Sequence, residues 1–159
     1  MRISEPDAAE SESYEALWNR ALWYLGRRDY GTLELRQKLL RQRPGKPLPA
    51  EDDVEQAIAR LLELGYLNDE RYAQRLAEAL QAKGFGTRGV AMELRQRGLG
   101  DAYFDLPAED GARLGELLEG KYRHKLVDER GRRSVFQALL RKGFAHGDIK
   151  KAIQDKIGG

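Results

Sequence analysis

The chain has 159 residues, 41% of them hydrophobic and 34% charged, and its 28 Lys and Arg against 26 Asp and Glu leave a formal net charge of +2. That length can bury one core, and a charge so near balance does not by itself argue for nucleic acid, so the distribution of the charges has to. With no Cys, disulfide scaffolds and thiolate metal sites are excluded, and with neither a signal-peptide core nor a membrane-length apolar run the expectation is a soluble, cytoplasmic protein.

Residues 1–12 are polar and acidic and read as a disordered leader. Helical periodicity begins at Tyr14, where Leu17, Ala21 and Leu25 recur at i, i+4, i+8 beside Trp18 and Leu22. Gly26 with Arg27 and Arg28 is the predicted stop. Thr32 is the predicted N-cap of a second helix carrying Leu35, Leu39 and Leu40. The proline-rich stretch 43–50 cannot be helical and reads as an exposed loop. A third helix starts at Glu51 and Asp52, presents Val54, Ile58, Leu61 and Leu62, and stops at Gly65.

Asn68 is the predicted cap of the next helix, with Leu67 as staple and Tyr72, Leu76 and Leu80 as the stripe. After Gly84-Phe85-Gly86, Thr87 caps a helix with Val90, Met92 and Leu94, ended by Gly98. Asp101 opens a short helix with Tyr103 and Phe104. Pro107 suits the first turn of the following one, which carries Leu114, Leu117, Leu118 and Tyr122. Ser134 is the predicted cap of the penultimate helix, through Phe136, Leu139 and Leu140, and Asp148 that of the last. Gly65-Tyr66, Gly98-Leu99 and Gly143-Phe144 share one predicted stop: a left-handed glycine, then an apolar residue folding back.

The runs from Gly31-Thr32, Gly86-Thr87 and Arg133-Ser134 repeat one pattern, which predicts the architecture. It is an all-α protein of three tandem three-helix repeats, about nine helices, stacked into an elongated curved solenoid-like molecule. The repeats span 13–66, 67–106 and 107–159. Stacked repeats bury a continuous core and leave a long surface suited to macromolecules.

Little in the chain suggests catalysis. His124 and His146 lie in different segments, without a metal-binding partner at i+3 or i+4. Glu51-Asp52-Asp53, Asp69-Glu70 and Glu109-Asp110 sit at predicted helix starts, where carboxylates stabilise the dipole by about 0.3–1 kcal/mol each. Ser134 lacks a triad-like His or Lys. The expectation is a non-enzyme with no cofactor and no metal.

The basic residues carry more. Arg27, Arg28, Arg36 and Lys38 cluster in the first repeat, Arg88, Arg95 and Arg97 in the second, and Arg132, Arg133, Arg141 and Lys142 in the third. The second helix of each repeat is thus the cation-rich one. Equivalent helices of a repeat protein line one face, so a nearly neutral chain can carry a basic stripe that attracts a polyanion in a salt-dependent way. A solvated charged face is the plainer reading of any single Arg; the repetition favours function.

The tract from Val54 to Asp101 resembles the RecX family of regulators of the RecA recombinase. The residues carrying the likeness are Gly65-Tyr66-Leu67-Asn68-Asp69 with Glu70-Arg71-Tyr72-Ala73, then Gly86-Thr87-Arg88-Gly89-Val90 and Glu93-Leu94-Arg95-Gln96-Arg97-Gly98-Leu99. Ala21 to Leu25 and Glu34 to Leu39 resemble the family's opening pattern. The family commonly has Ser where Gly31-Thr32 stands, and the loop 43–50 is longer than usual. The resemblance implies a monomeric cytoplasmic regulator that binds RecA filaments on single- or double-stranded DNA, contacts DNA weakly and without sequence preference, and limits filament growth, ATPase and recombinase activity in DNA repair and the SOS response. Two other readings stay open: a stand-alone helical DNA-binding regulator using the helix from Thr87 to Arg97, and a protein-only helical scaffold.

Overall fold

In the computed structural model the described residues are 11–100 and 109–158. They form eight α-helices: α1 Tyr14–Arg27, α2 Thr32–Leu40, α3 Glu51–Glu63, α4 Asp69–Ala82, α5 Thr87–Gln96, α6 Asp110–Glu119, α7 Glu129–Arg141 and α8 His146–Gly158. A single 3-10 turn, Arg123–Lys125, joins α6 to α7. Among the described residues the only β-type pairing is an isolated bridge between Glu12 and Pro49. The fold is all-α, as expected; the short helix expected from Asp101, and the Pro107 start, lie outside the described residues.

The chain forms two compact units, which among the described residues comprise 11–72 with 97–100, and 73–96 with 109–158. In the first, α1, α2 and α3 pack on one another. Their apolar residues recur at i and i+4, so Leu17 and Ala21, Leu35 and Leu39, and Val54, Ile58 and Leu61 meet in one buried cluster that Leu67 completes. Each fully buried leucine contributes about 1.5–3 kcal/mol relative to exposure. In the second unit α6 and α7 each pack on α8. Leu114 and Leu118, Val135 and Leu139, Phe144, Ile149 and Ile153 form its core. Three residues of the expected stripes do not join a core: Leu76 is only half-buried, Leu62 is exposed, and Met92 is 60% exposed. Val90 and Leu94, at i and i+4, carry α5 without it.

The glycine stops hold. Gly65, Gly98 and Gly143 have φ of 77°, 74° and 87°, the left-handed conformation that closes a helix cheaply only for glycine. Phe144 and Leu99 are buried behind theirs, and the Phe144 amide donates to the Leu139 carbonyl. At Gly65 the residue that turns inward is Leu67, whereas Tyr66 is 55% exposed. Gly26 is no stop: α1 runs one residue past it, and the Arg28 amide closes on the Tyr24 carbonyl.

Four predicted caps are displaced, and Thr87 is one of them, being the first residue of α5 rather than its cap. Asp128 caps α7 through a 2.7 Å bond from the Gly131 amide, so Ser134 lies inside the helix. α8 begins at His146, so Asp148 falls in its first turn. Thr32 is the first residue of α2 after the Gly31 N-cap. Its amide and hydroxyl both donate to Asp69 at the start of α4, at 2.8 and 3.1 Å. Asn68 caps α4 as expected, accepting from the Arg71 amide at 3.0 Å.

The Thr32–Asp69 clasp recurs. Thr87, at the start of α5, donates from its hydroxyl and amide to Asp110 at the start of α6, at 2.9 and 3.3 Å. Each clasp ties the second helix of one repeat to the first helix of the next. The expected third counterpart, Arg133-Ser134, lies inside α7; the pair that stands before Val135 as Gly31-Thr32 and Gly86-Thr87 stand before Leu35 and Val90 is Gly131-Arg132. There Arg132 instead donates to the Leu126 carbonyl, at 2.9 Å. Asp69→Ala removes the acceptor for two donors in a partly buried place and is expected to destabilise by about 1–2 kcal/mol. Thermal unfolding checks it; a melting temperature equal to that of the parent would show the clasp to be idle.

Glu12, expected in the leader, belongs to the first unit. It is buried and holds Arg20 of α1 through two bonds of 2.9 and 2.7 Å. Its amide donates to the Leu48 carbonyl at 3.0 Å, pinning the end of the proline loop.

Candidate functional site

The eleven cations singled out in the sequence divide by what they touch. In the first unit three are engaged. Arg28 donates to Glu34 at 3.2 Å and lies 3.7 Å from the Tyr30 ring centroid. Arg36 makes a two-point pair with Glu55, at 2.7 and 3.3 Å. Arg97 donates to the Tyr72 hydroxyl at 3.1 Å, with Glu34 at 3.9 Å. Arg28 also reaches that hydroxyl, at 3.4 Å, so one phenol oxygen faces two guanidinium groups and a carboxylate. Burial, with Glu34 behind it, pushes the Tyr72 phenol up against the pull of Arg97. Burial works against the charge of Arg28, but Tyr30 and Glu34 more than offset it and hold its guanidinium above the ordinary value. These charges are largely spent inside the fold.

Arg27 and Lys38 are different. Each lies over an aromatic ring, Arg27 over Trp23 at 4.8 Å and Lys38 over Tyr24 at 5.3 Å. Among the described residues neither has a carboxylate partner.

The second unit holds the freer set. Arg88, Arg95, Arg133 and Arg141 are exposed, with no acidic partner among the described residues. Arg88 and Arg95 are seven residues apart on α5, which at about 3.6 residues per turn puts them on one face. The glycines bring α5 and α7 together. The Gly86 amide donates to the Lys142 carbonyl at 2.8 Å, and Gly89 lies directly against Gly143. Arg88 therefore comes to the same junction as Arg141 and Lys142. The Lys142 ammonium sits 4.4 Å over the Phe85 ring. Sequence reasoning took Gly86 and Gly89 as punctuation and missed this contact, because nothing local marks a glycine as the meeting point of two backbones.

Other chemistry is thin among the described residues. No group of His, Asp and Glu is arranged to hold a metal ion, and no helix is long and apolar enough to cross a membrane. His124 and His146 are exposed, the latter edge-on to Phe136 at 4.7 Å. One open groove of about 410 Å³ is lined by Arg132, Arg133, Phe136 and Lys150.

Known proteins resemble this chain over most of its length. A regulatory protein RecX of Myxococcus xanthus (strain DK1622) is 35% identical over 156 residues, covering 86% of this chain and 83% of its own. One of Salmonella newport (strain SL254) is 37% identical, covering 94% of this chain and 96% of its own. The chain belongs to the RecX family. The description "RecX, second three-helix domain" matches residues 68–104 of this RecX chain, the tract with Asn68-Asp69, Tyr72 and the Thr87 helix. A crystal structure of RecX from Lactobacillus salivarius has the same fold, with a TM-score of 0.61 at 23% identity over 89% of this chain and 95% of that one. The relatives are named as regulatory proteins. Asp69 and Thr87, which make the helix-start clasps, both fall in the matched tract.

Proposed function

We propose that this RecX protein binds RecA recombinase filaments assembled on DNA and limits their growth, ATP hydrolysis and recombinase activity, acting as a cytoplasmic monomer in DNA repair and the SOS response. The observation that carries the reading is the likeness to proteins named regulatory protein RecX across nearly the whole chain. The exposed cations of the second unit, Arg88 and Arg95 on α5 with Arg133 and Arg141 on α7, support it, with the half-buried Lys142 beside them. They form a patch for acidic protein surface or for DNA phosphates, and attraction of that kind weakens steeply with salt.

The stand-alone DNA-binding reading uses α5 as a helix entering the major groove, with its first residues at the base edges. Gly86 and Gly89, at that very end, are covered by Lys142 and Gly143, which weighs against it.

RecA ATP hydrolysis on single-stranded DNA, with this protein titrated well below RecA, tests the main reading. Strong inhibition there supports action on filaments; inhibition only at concentrations that saturate the DNA overturns it. Reversing charge at Arg88 and Arg95 together is expected to weaken inhibition about tenfold. Both are exposed, so the melting temperature should stay near that of the parent. A folded double variant that inhibits normally would take these residues out of the interface.

A further inference from the structure

Trp23 is exposed where tryptophan is ordinarily buried: it stands 58% accessible on α1. Arg27, one turn on, lies over its ring at 4.8 Å, and Tyr24 meets it edge-on at 5.5 Å. Lys38 of α2 then lies over Tyr24 at 5.3 Å. The order is cation, aromatic, aromatic, cation, and neither cation has a carboxylate partner among the described residues. The other cations over rings in this unit, Arg20 and Arg28, are tied to Glu12 and Glu34. The exposed neighbours of Trp23 along α1 are Asn19, Gly26 and Ala16, all uncharged, and Glu15 lies more than two turns away. A side-chain carbon built on Gly26 would meet nothing within 4 Å, so the approach beside the ring is open.

We propose that Trp23, Arg27, Tyr24 and Lys38 form a stacking platform for the unpaired bases of single-stranded nucleic acid. The Trp23 ring takes a base, and Arg27 and Lys38 take the flanking phosphates. An i, i+4 cation–π pair alone would account for no more than a modest gain in helix stability. It does not explain a second aromatic and a second unpaired cation on the same patch with no acid among them. An exposed tryptophan ring beside a second aromatic, with two cations that have no carboxylate partner among the described residues, matches a ligand with π faces and regularly spaced negative charge. Bases in a duplex are stacked inside and cannot reach Trp23, so the platform distinguishes single from double strands. This deepens the reading of the protein as a regulator acting on DNA-borne filaments, and rests on its DNA-contacting part.

Anisotropy of a labelled oligothymidylate and of a duplex of equal length, at low salt and with the full chain, tests it. Trp23→Ala is expected to weaken single-strand binding about tenfold or more, Trp23→Phe to retain most of it, and duplex binding to stay within about twofold. In Trp18→Phe, which leaves Trp23 as sole tryptophan, the oligothymidylate should quench emission; in Trp23→Phe, which leaves Trp18, it should not. Unchanged single-strand binding by Trp23→Ala overturns the platform while leaving the filament reading intact. If Trp23→Ala instead loses filament inhibition alone, the patch is a protein contact and the proposal is wrong. Absence of single-strand binding by the parent protein overturns it too, whatever the filament assay shows.

Discussion

Replacing Glu12 by Ala is expected to destabilise the protein by about 3 kcal/mol, near the low end of the range for breaking a buried ion pair. The reason is what remains. Arg20 on α1 is almost fully buried, and it is held there by two bonds to the Glu12 carboxylate and one of 2.8 Å to the Leu39 carbonyl. Burial alone lowers the pKa of the guanidinium, but Glu12 and Tyr24 more than offset this and keep it above its ordinary value. Without Glu12 a largely buried charge keeps only the Leu39 carbonyl and Tyr24 and has no carboxylate to serve it. Arg43, 3.6 Å from the same carboxylate, loses its counterion as well. Urea unfolding measures the change. The double variant Glu12→Ala with Arg20→Met, which removes both charges and fills the space, is expected to recover most of the loss, since an apolar pair in place of a buried ion pair is often neutral or stabilising. A single variant within about 0.5 kcal/mol of the parent would mean that Arg20 simply turns out to water.

What could be read from the residues, and what could not, divides by range. The apolar stripes of α1, α2 and α3 were legible because i and i+4 spacing is a local consequence of helix geometry, and so were the left-handed glycines at Gly65, Gly98 and Gly143. Ser134 and Thr32 were misread as caps because a hydroxyl next to a helical run is a good local cap. Asp128 and Asp69 out-compete them, and only Asp128 is nearby in the chain. Glu12 looked like part of an acidic tail because its partner, Arg20, is engaged across two turns of helix and a loop end. Met92 was placed on a stripe by its hydropathy, though its position on α5 puts it outward.

The candidate site was legible only as a count. Cations recur on the second helix of every repeat, and the sequence reading weighed them alike. Glu34, Glu55 and Tyr72 take up Arg28, Arg36 and Arg97 through contacts that composition does not reveal, whereas Arg88, Arg95 and Arg141 have no acidic partner among the described residues. Trp23 shows the converse. The sequence reading gave it no role beyond the tract from Ala21 to Leu25, and its exposure emerges only when Leu17 and Ala21 are seen to face the core. Charge alone does not separate a surface that can bind from one that holds the fold together.

Gly89→Ala is the other substitution expected to have a large effect, about 3 kcal/mol, at the upper end for an overpacked contact. A side-chain carbon on Gly89 would fall inside the van der Waals envelope of the Lys142 carbonyl, and one on Gly143 would strike the Gly89 backbone. Both obstacles are main-chain atoms, so no flexible side chain can give way. Relief requires α5 to back away from the end of α7, which also strains the 2.8 Å bond from the Gly86 amide to the Lys142 carbonyl. For a chain of this size the melting temperature should fall by roughly 6–12 °C. Gly111→Ala is the matched control: it sits in α6 with nothing within 4 Å of the added carbon. It is expected to be stabilising by about 0.5–1 kcal/mol through lower unfolded-state entropy. The functional consequence follows from the same contact, because Gly89 sets where Arg88 meets Arg141 and Lys142. Assayed well below its melting temperature, Gly89→Ala should therefore inhibit RecA less than its remaining folded fraction accounts for. Inhibition in strict proportion to the folded fraction would show that the junction serves the fold alone.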